Sequence, residues 1–469
     1  SVARESTTHR LRWVPYGTYG AAFGAGARGP GSLGVGARCG NGLFSLLNLP
    51  NFILASQTSG LVWRHASEDT SAGQAKRTMS RHAERAARAA AAEEAALEAE
   101  EHFHIERVGG SFPGYEAAVA ADARRTERAA ARLAPELRAL LPPDCLARRA
   151  AGLRAAAAAN GAFLRAVVAG RGAFGPPGGA PPPAAPADPR ARPTEADFSK
   201  VRSTLHSCVR DWAAEGAAER AACYGPILDE LERVVPRDGR SRVLVPGAGL
   251  ARLVLEVAAR GYGAQGNEFS YHMLLCSNFL LNSGLRPNEV ALYPFVDQPS
   301  NCRRAGDRLR AARVPDVVPA ALLRGGGGEP DFSMAAGEFL AVYRDQREAW
   351  DAVAACFFVD TAPVALEYVA AIWRLLKPGG AWVNLGPLLY HWVPTSGADL
   401  EGGLDARGRP TAGADDRYLR ALEFSWDELR HAILAQGFEL VREEWRHCTY
   451  TANARSCLLY TSPSPRDRG

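Results

Sequence analysis

Residues 241–267, SRVLVPGAGLARLVLEVAARGYGAQGN, and the Glu268 that follows decide the fold. Val243 to Val245 form a short apolar, β-branched run. Gly247 and Gly249 then let the backbone turn tightly and approach a ligand with no side chain in the way. Leu250, Leu253, Val254, Val257 and Ala258 recur at helical spacing, so the next segment is a helix whose free N–H groups face the turn. Glu268 comes 21 positions after Gly247, at the tip of a second strand, where a carboxylate can accept both hydroxyls of a ribose. An adenosine-containing ligand is the expectation.

The chain has 469 residues, 55 basic and 51 acidic, for a net charge of +4. That balance asks for neither a nucleic acid nor a membrane surface. Its nine cysteines show no zinc or redox spacing, which fits a reducing compartment. Residues 1–75 contain a glycine-rich stretch with too few large apolar residues to fold, and residues 43–55 are apolar but too short to span a bilayer. A helical region is expected over 76–169, followed by a Pro/Gly/Ala linker over 170–196 with no means of packing. A larger α/β domain is expected over 197–454, with the helical region expected to cap its ligand crevice, and 455–469 is an atypical tail.

Beyond Glu268, residues 332–336 read as a strand ending in Gly337, Glu338 and Phe339. An acid and an aromatic there suit a base ring, or equally a plain helix start. Residues 351–359, DAVAACFFV, read as a buried parallel strand with Asp360 at its carboxyl end, where open α/β sheets place their ligands. A helix, the KPGG turn of Lys377 to Gly380 and the strand AWVNL follow, a series seldom met in dinucleotide dehydrogenases; it points to S-adenosylmethionine (SAM) rather than NAD. His391 lies after that strand, and Ser425 with Glu428 predicts a capping box on a late helix. Arg210 precedes the glycine turn among apolar residues, placed to reach a carboxylate or to make a structural ion pair.

Seven segments, STLHSCVRDW, AERAACYGPI, VLVPGAGLARL, QGNEFSYHMLLCSNFLLN, FSMAAGEF, CFFVDTA and IWRLLKPGGAWVNLGPLLYHW, resemble the carnosine N-methyltransferase family over roughly residues 100–453. The resemblance implies a class I methyltransferase fold, a doubly wound, mostly parallel sheet with an antiparallel last strand pair, behind a helical N-terminal region. It implies SAM as cofactor, no metal, and methylation of the imidazole of carnosine to give anserine. By motif, Ser207, Arg210, Gly247, Gly249, Glu268, Glu338, Phe339 and Cys356 would bind SAM, and Asp360, His391 and Tyr450 would hold the dipeptide. Histidine-containing proteins are further candidate substrates, a homodimer a candidate assembly, and cytoplasm and nucleus the implied locations.

The family usually carries Gln where Ser207 stands and Asp where Glu338 stands. After Ala454 the chain runs RSCLLYTSPSPRDRG, in which only SCLLYT is apolar enough to replace the strand that closes the sheet, and Pro463 and Pro465 stop its extension. Two other readings compete: a methyltransferase whose main substrate is a protein histidine, and a SAM-binding scaffold without turnover. Glu268, Asp360 and Lys377 to Gly380 speak against the scaffold.

Overall fold

The structure, a computed structural model, describes residues 9–17, 102–169, 188–298, 300–324, 331–393, 417 and 420–451. In chain order these form β1 (His9–Gly17), α1 (102–131), α2 (Pro135–Arg138), α3 (Cys145–Ala169), α4 (Glu195–Trp212), α5 (Ala217–Val234), β2 (Arg242–Pro246), α6 (Arg252–Ala259), β3 (Gly263–Glu268) and α7 (Tyr271–Asn282). After a small hairpin of β4 (Val290–Leu292) and β5 (Ala312–Val314) come α8 (Pro319–Arg324), β6 (Phe332–Ala336), α9 (Phe339–Val342), β7 (Trp350–Cys356), α10 (Ala365–Leu375) and β8 (Leu376–Gly386). The last elements are α11 (Trp426–Gln436), β9 (Phe438–Glu443) and β10 (Arg446–His447).

The main sheet has eight strands, in the order β6, β3, β2, β7, β8, β1, with β9 and β10 both on the far side of β1. The chain winds outward from β2 through β3 to β6, then returns to β7 on the other side of β2. The crevice between the carboxyl ends of β2 and β7 is therefore the switch point, where an open α/β sheet leaves room for a ligand. Period-2 alternation separates the two faces. Ala352, Ala354, Ala381 and Val383 join a core with α3 to α7, whereas Val353, Ala355 and Trp382 join one with α10 and α11. Helices on both faces explain why β7 reads as a nearly continuous apolar run.

The helical N-terminal region does not carry a separate core. Val108, Phe112, Tyr115, Leu153, Phe163 and Leu164 share one cluster with Leu205, Trp212, Leu253 and Leu275 of the sheet-bearing unit. Residues 188–196, the last nine of the expected linker, are packed against the helices. Thr194 and Asp197 cap α4 reciprocally, Thr194 N–H donating to Asp197 Oδ2 at 2.8 Å and Asp197 N–H to Thr194 Oγ1 at 3.3 Å. Ahead of that cap, Ala191 is buried and the Arg190 guanidinium lies 4.0 Å over the Phe103 ring. Residues 188–196 thus belong to the folded unit. The Ser425/Glu428 box at the start of α11 forms as expected.

Two expectations are corrected at the sheet's far edge. Residues 9–17 lie within the 75 assigned no fold, yet they form β1 and pair with β8 from Arg10↔Ala381 to Pro15↔Gly386 and with β9 from His9↔Phe438 to Trp13↔Glu443. The last strand pair is parallel rather than antiparallel, as is every described pairing in the main sheet. The physical reason is the one that made a closing strand necessary: β8 and β9 do not pair with each other, so each needs a strand between them to satisfy its backbone. The sequence of β1, with Arg10 and Arg12 alternating with Leu11 and Trp13, has the strand period that the glycine-rich stretch after it lacks. SCLLYT, the other candidate, lies outside the described residues.

Removing residues 1–17 therefore strips the ladder partner from both β8 and β9. Each buried group left unpaired costs about 1–3 kcal/mol, so the truncated chain is expected to melt several degrees lower and to yield less soluble protein. Equal melting temperatures for the two chains would show that β1 does not fill the slot in solution.

Candidate active site

The crevice at the switch point is a small cavity lined by Arg210, Tyr224, Pro246, Gly247, Cys356 and Phe357 among others. Gly247 and Gly249 both have positive φ, +65° and +54°, as a tight strand-to-helix turn demands. A Cβ on Gly247 would sit 2.8 Å from the Phe358 ring, and one on Gly249 3.7 Å from an Arg210 nitrogen, so the turn runs between an aromatic floor and a cation.

Glu268 closes one side of the turn. Its Oε2 accepts the Gly249 N–H at 2.7 Å, and its Oε1 accepts those of Phe269 and Ser270 at 2.9 and 2.8 Å. Three donors fix the carboxylate's orientation, while Oε2 keeps a lone pair for a further donor. Burial pushes this carboxyl above its usual range, partly offset by those N–H groups and by Arg210.

Arg210 makes the structural ion pair that the sequence allowed and also stands in the crevice wall. It pairs bidentately with the neighbouring Asp211, Nε to Oδ1 at 2.8 Å and NH2 to Oδ2 at 3.0 Å, and still lines the cavity. Tyr224 donates to Asp211 Oδ1 at 2.7 Å and lines the same crevice. Ser207, one turn earlier on α4, is buried. Cys356 ends β7 in the cavity wall, and burial raises its thiol far above the ordinary value, so it stays protonated.

Glu338 and Phe339 sit at the carboxyl end of β6, beside that of β3, and here the plain helix-start geometry is present. Glu338 caps α9 by accepting the Ala341 N–H at 2.8 Å. The Phe339 ring is buried against Phe358 and Tyr368, with centroids 5.3 and 5.1 Å away. Lys377, in the KPGG stretch, lies at the other end of the sheet, where its Nζ pairs with both Asp351 oxygens at 2.9 and 2.8 Å. That motif locks the starts of β7 and β8 and does not reach the crevice.

Asp360 and His391 are brought together by two bonds between loops. The buried Asp360 accepts the Leu389 N–H on Oδ2 at 3.0 Å, and its backbone oxygen accepts the His391 N–H at 3.0 Å. The turn after β7 is thereby stapled to the loop after β8. Burial pushes the Asp360 carboxyl up, with His391 and the Leu389 N–H opposing the shift. Phe357 and Tyr390 hold positive φ values of +55° and +44° beside this staple, a conformation costing bulky residues about 1–3 kcal/mol. Phe357 is held there by its N–H bond to Leu385 at 2.8 Å and by Gly386, whose missing Cβ would lie 3.2 Å from the Phe357 backbone.

Tyr450 completes the group from the chain's far end. Its ring meets Phe357 edge-on at 5.0 Å, and the Arg210 guanidinium lies 5.0 Å from the ring centre. Phe357, Tyr224 and Asp211 are the site residues that sequence reasoning missed. The FF pair in CFFVDTA, too apolar and bulky for an exposed turn, is the signal that could have pointed to Phe357.

A model of the carnosine N-methyltransferase family matches residues 188–462, more than half of the chain. The chain belongs to the carnosine N-methyltransferase family. Relatives carrying that family's name include a Mus musculus protein, 42% identical over 269 residues that make up 56% of this chain and 61% of the relative. A Schizosaccharomyces pombe relative is 38% identical over 56% of this chain and 68% of its own length. One from Drosophila melanogaster is 45% identical over 42% of this chain and 43% of its own. The chain thus spans about three-fifths of the length of the first of these carnosine N-methyltransferases. Among solved structures, an arsenic (III) S-adenosylmethionine methyltransferase from Chlamydomonas reinhardtii aligns at 16% identity and a TM-score of 0.22, over 38% of this chain and 46% of that one, too slight a likeness to bear on the fold.

Gly247→Ala tests the glycine turn of this candidate site. A side chain there meets both the positive φ and the Phe358 ring, so the variant is expected to lose about 1–3 kcal/mol of stability. A melting temperature equal to that of the parent would mean that the turn is looser than its geometry.

Proposed function

We infer that this chain is a SAM-dependent N-methyltransferase that transfers a methyl group to an imidazole nitrogen of carnosine, giving anserine. Family membership supports the reaction class. The observation that carries the substrate is the buried Asp360 carboxylate just past β7, fixed by the Leu389 N–H while its backbone oxygen accepts the His391 N–H, next to a glycine turn with an oriented acid at its tip.

The residues of the crevice fit the cofactor. Glu268 has its spare lone pair for one ribose hydroxyl, Gly247 and Gly249 leave the backbone bare, and the Arg210 charge suits the amino-acid carboxylate. When bound, SAM supplies a sulfonium-activated methyl group that a nitrogen lone pair attacks in line. The protein's task is to present a neutral imidazole with the correct nitrogen forward. Asp360 does both if it accepts the N–H of the other ring nitrogen: the bond fixes the tautomer, and the carboxylate stabilises the positive charge that grows on the ring. In this reading His391, bonded through its backbone to Asp360, and Tyr450, packed on Phe357, orient the dipeptide. No nucleophilic side chain enters this scheme, which fits a Cys356 thiol held protonated by burial.

Glu268→Ala removes a charge-assisted hydrogen bond worth about 1.5–3 kcal/mol, so SAM binding measured by calorimetry is expected to weaken at least about tenfold. Unchanged affinity would move the cofactor away from this turn. Asp360→Asn keeps the shape and drops the charge. It is expected to bind SAM normally while turnover on carnosine falls by about two orders of magnitude or more. Near-parental turnover would make Asp360 a structural residue.

A further inference from the structure

Glu219 lies in AERAACYGPI, a segment that carries the family resemblance but receives no role from it. It sits near the start of α5, half-buried, and grips the short stretch 448–451 that follows β10. Its Oε1 accepts the Thr451 N–H at 2.6 Å and its Oε2 accepts the Thr449 hydroxyl at 3.3 Å, one oxygen for each donor on either side of Tyr450. One helical turn further along α5, the Cys223 thiol donates to the Thr449 carbonyl at 3.8 Å. Cys448 is buried in the main core. Among the described residues, the Tyr450 ring meets Arg210 and Phe357. Thr451 holds a positive φ of +47°, a conformation that a threonine keeps only where its surroundings impose it.

We propose that Glu219 is a positioning residue for methyl transfer: by clamping both neighbours of Tyr450 it seats that ring against the cavity wall formed by Arg210 and Phe357. The role of Tyr450 rests on the imidazole-methylation reading, whereas the clamp itself does not. A carboxylate suits the position because both of its partners are donors and it has two acceptor oxygens. Glutamine retains one acceptor, and its amide can donate to the Thr449 oxygen, so Glu219→Gln preserves the clamp while Glu219→Ala abolishes it.

Amide exchange and kinetics on the full chain test the two parts separately. In the absence of substrate, Glu219→Ala is expected to speed hydrogen exchange across residues 448–451 about tenfold, with Glu219→Gln close to the parent. Unchanged exchange in the alanine variant overturns the clamp. In turnover assays, Glu219→Ala is expected to raise the KM for carnosine about tenfold with SAM affinity within about twofold, and the glutamine variant to recover most of the loss. Adding Tyr450→Phe to Glu219→Ala is expected to cost less than about twofold more, because residues that act through one another are not additive. Additive losses, or an unchanged KM alongside fast exchange, overturn the positioning role. A parent chain that exchanges slowly at 448–451 but never methylates carnosine would defeat the imidazole reading and leave the clamp standing.

Discussion

The site depends on a buried ionic network behind the glycine turn. Asp211 receives the bidentate Arg210 guanidinium and the Tyr224 hydroxyl. Arg220 donates to the Arg210 carbonyl at 2.6 Å and to the Asp316 carboxylate, and Arg252 spans from the Asp211 carbonyl at 2.8 Å to Asp316 at 2.7 Å. Helices α4, α5 and α6 and the loop at Asp316 are thus joined through three arginines and two aspartates. Such a network contributes little net stability against a well-packed apolar alternative, but removing one partner strands a buried charge at a cost of about 3–5 kcal/mol. Its value here is geometric. It fixes Arg210 at the cavity and leaves the flexible guanidinium one position to occupy.

The remaining candidate site residues come from distant points of the chain. Glu268 comes from the tip of β3, Cys356 and Phe357 from the end of β7, His391 from the loop after β8, and Tyr450 from beyond β10. What brings them together is the switch point of the sheet, since the carboxyl ends of β2 and β7 open away from each other only there. The left-handed backbone at Phe357 and Tyr390 shows where the chain accepts strain to complete the arrangement.

Much of this was legible because it rests on local rules. The glycine turn, the acid at its proper distance, the apolar β7 with Asp360 at its end and the capping box at Ser425 each follow from spacing and residue type. The parts that were not legible depend on which segments meet in space. Nothing local distinguishes Glu338 as a helix cap from Glu338 as a ligand contact, and Phe339 looks the same in sequence whether its ring faces a core or a crevice. The KPGG motif identifies the fold class while lying at the opposite end of the sheet. β1 is the plainest case. Its alternation of Arg10, Leu11, Arg12 and Trp13 is a strand signal, but a short one, sequence-distant from its partners and adjoining a glycine-rich stretch that has no such pattern.

Transfer to an imidazole nitrogen, directed by Asp360, is the claim on which the functional account stands. Incubating the full chain with methyl-labelled SAM and carnosine, then locating the label in the product, tests it most directly. The account predicts label on a single ring nitrogen of the histidine. Label on the β-alanyl amino group, or spread over both ring nitrogens, would contradict it, as would the absence of transfer from a folded chain that binds SAM.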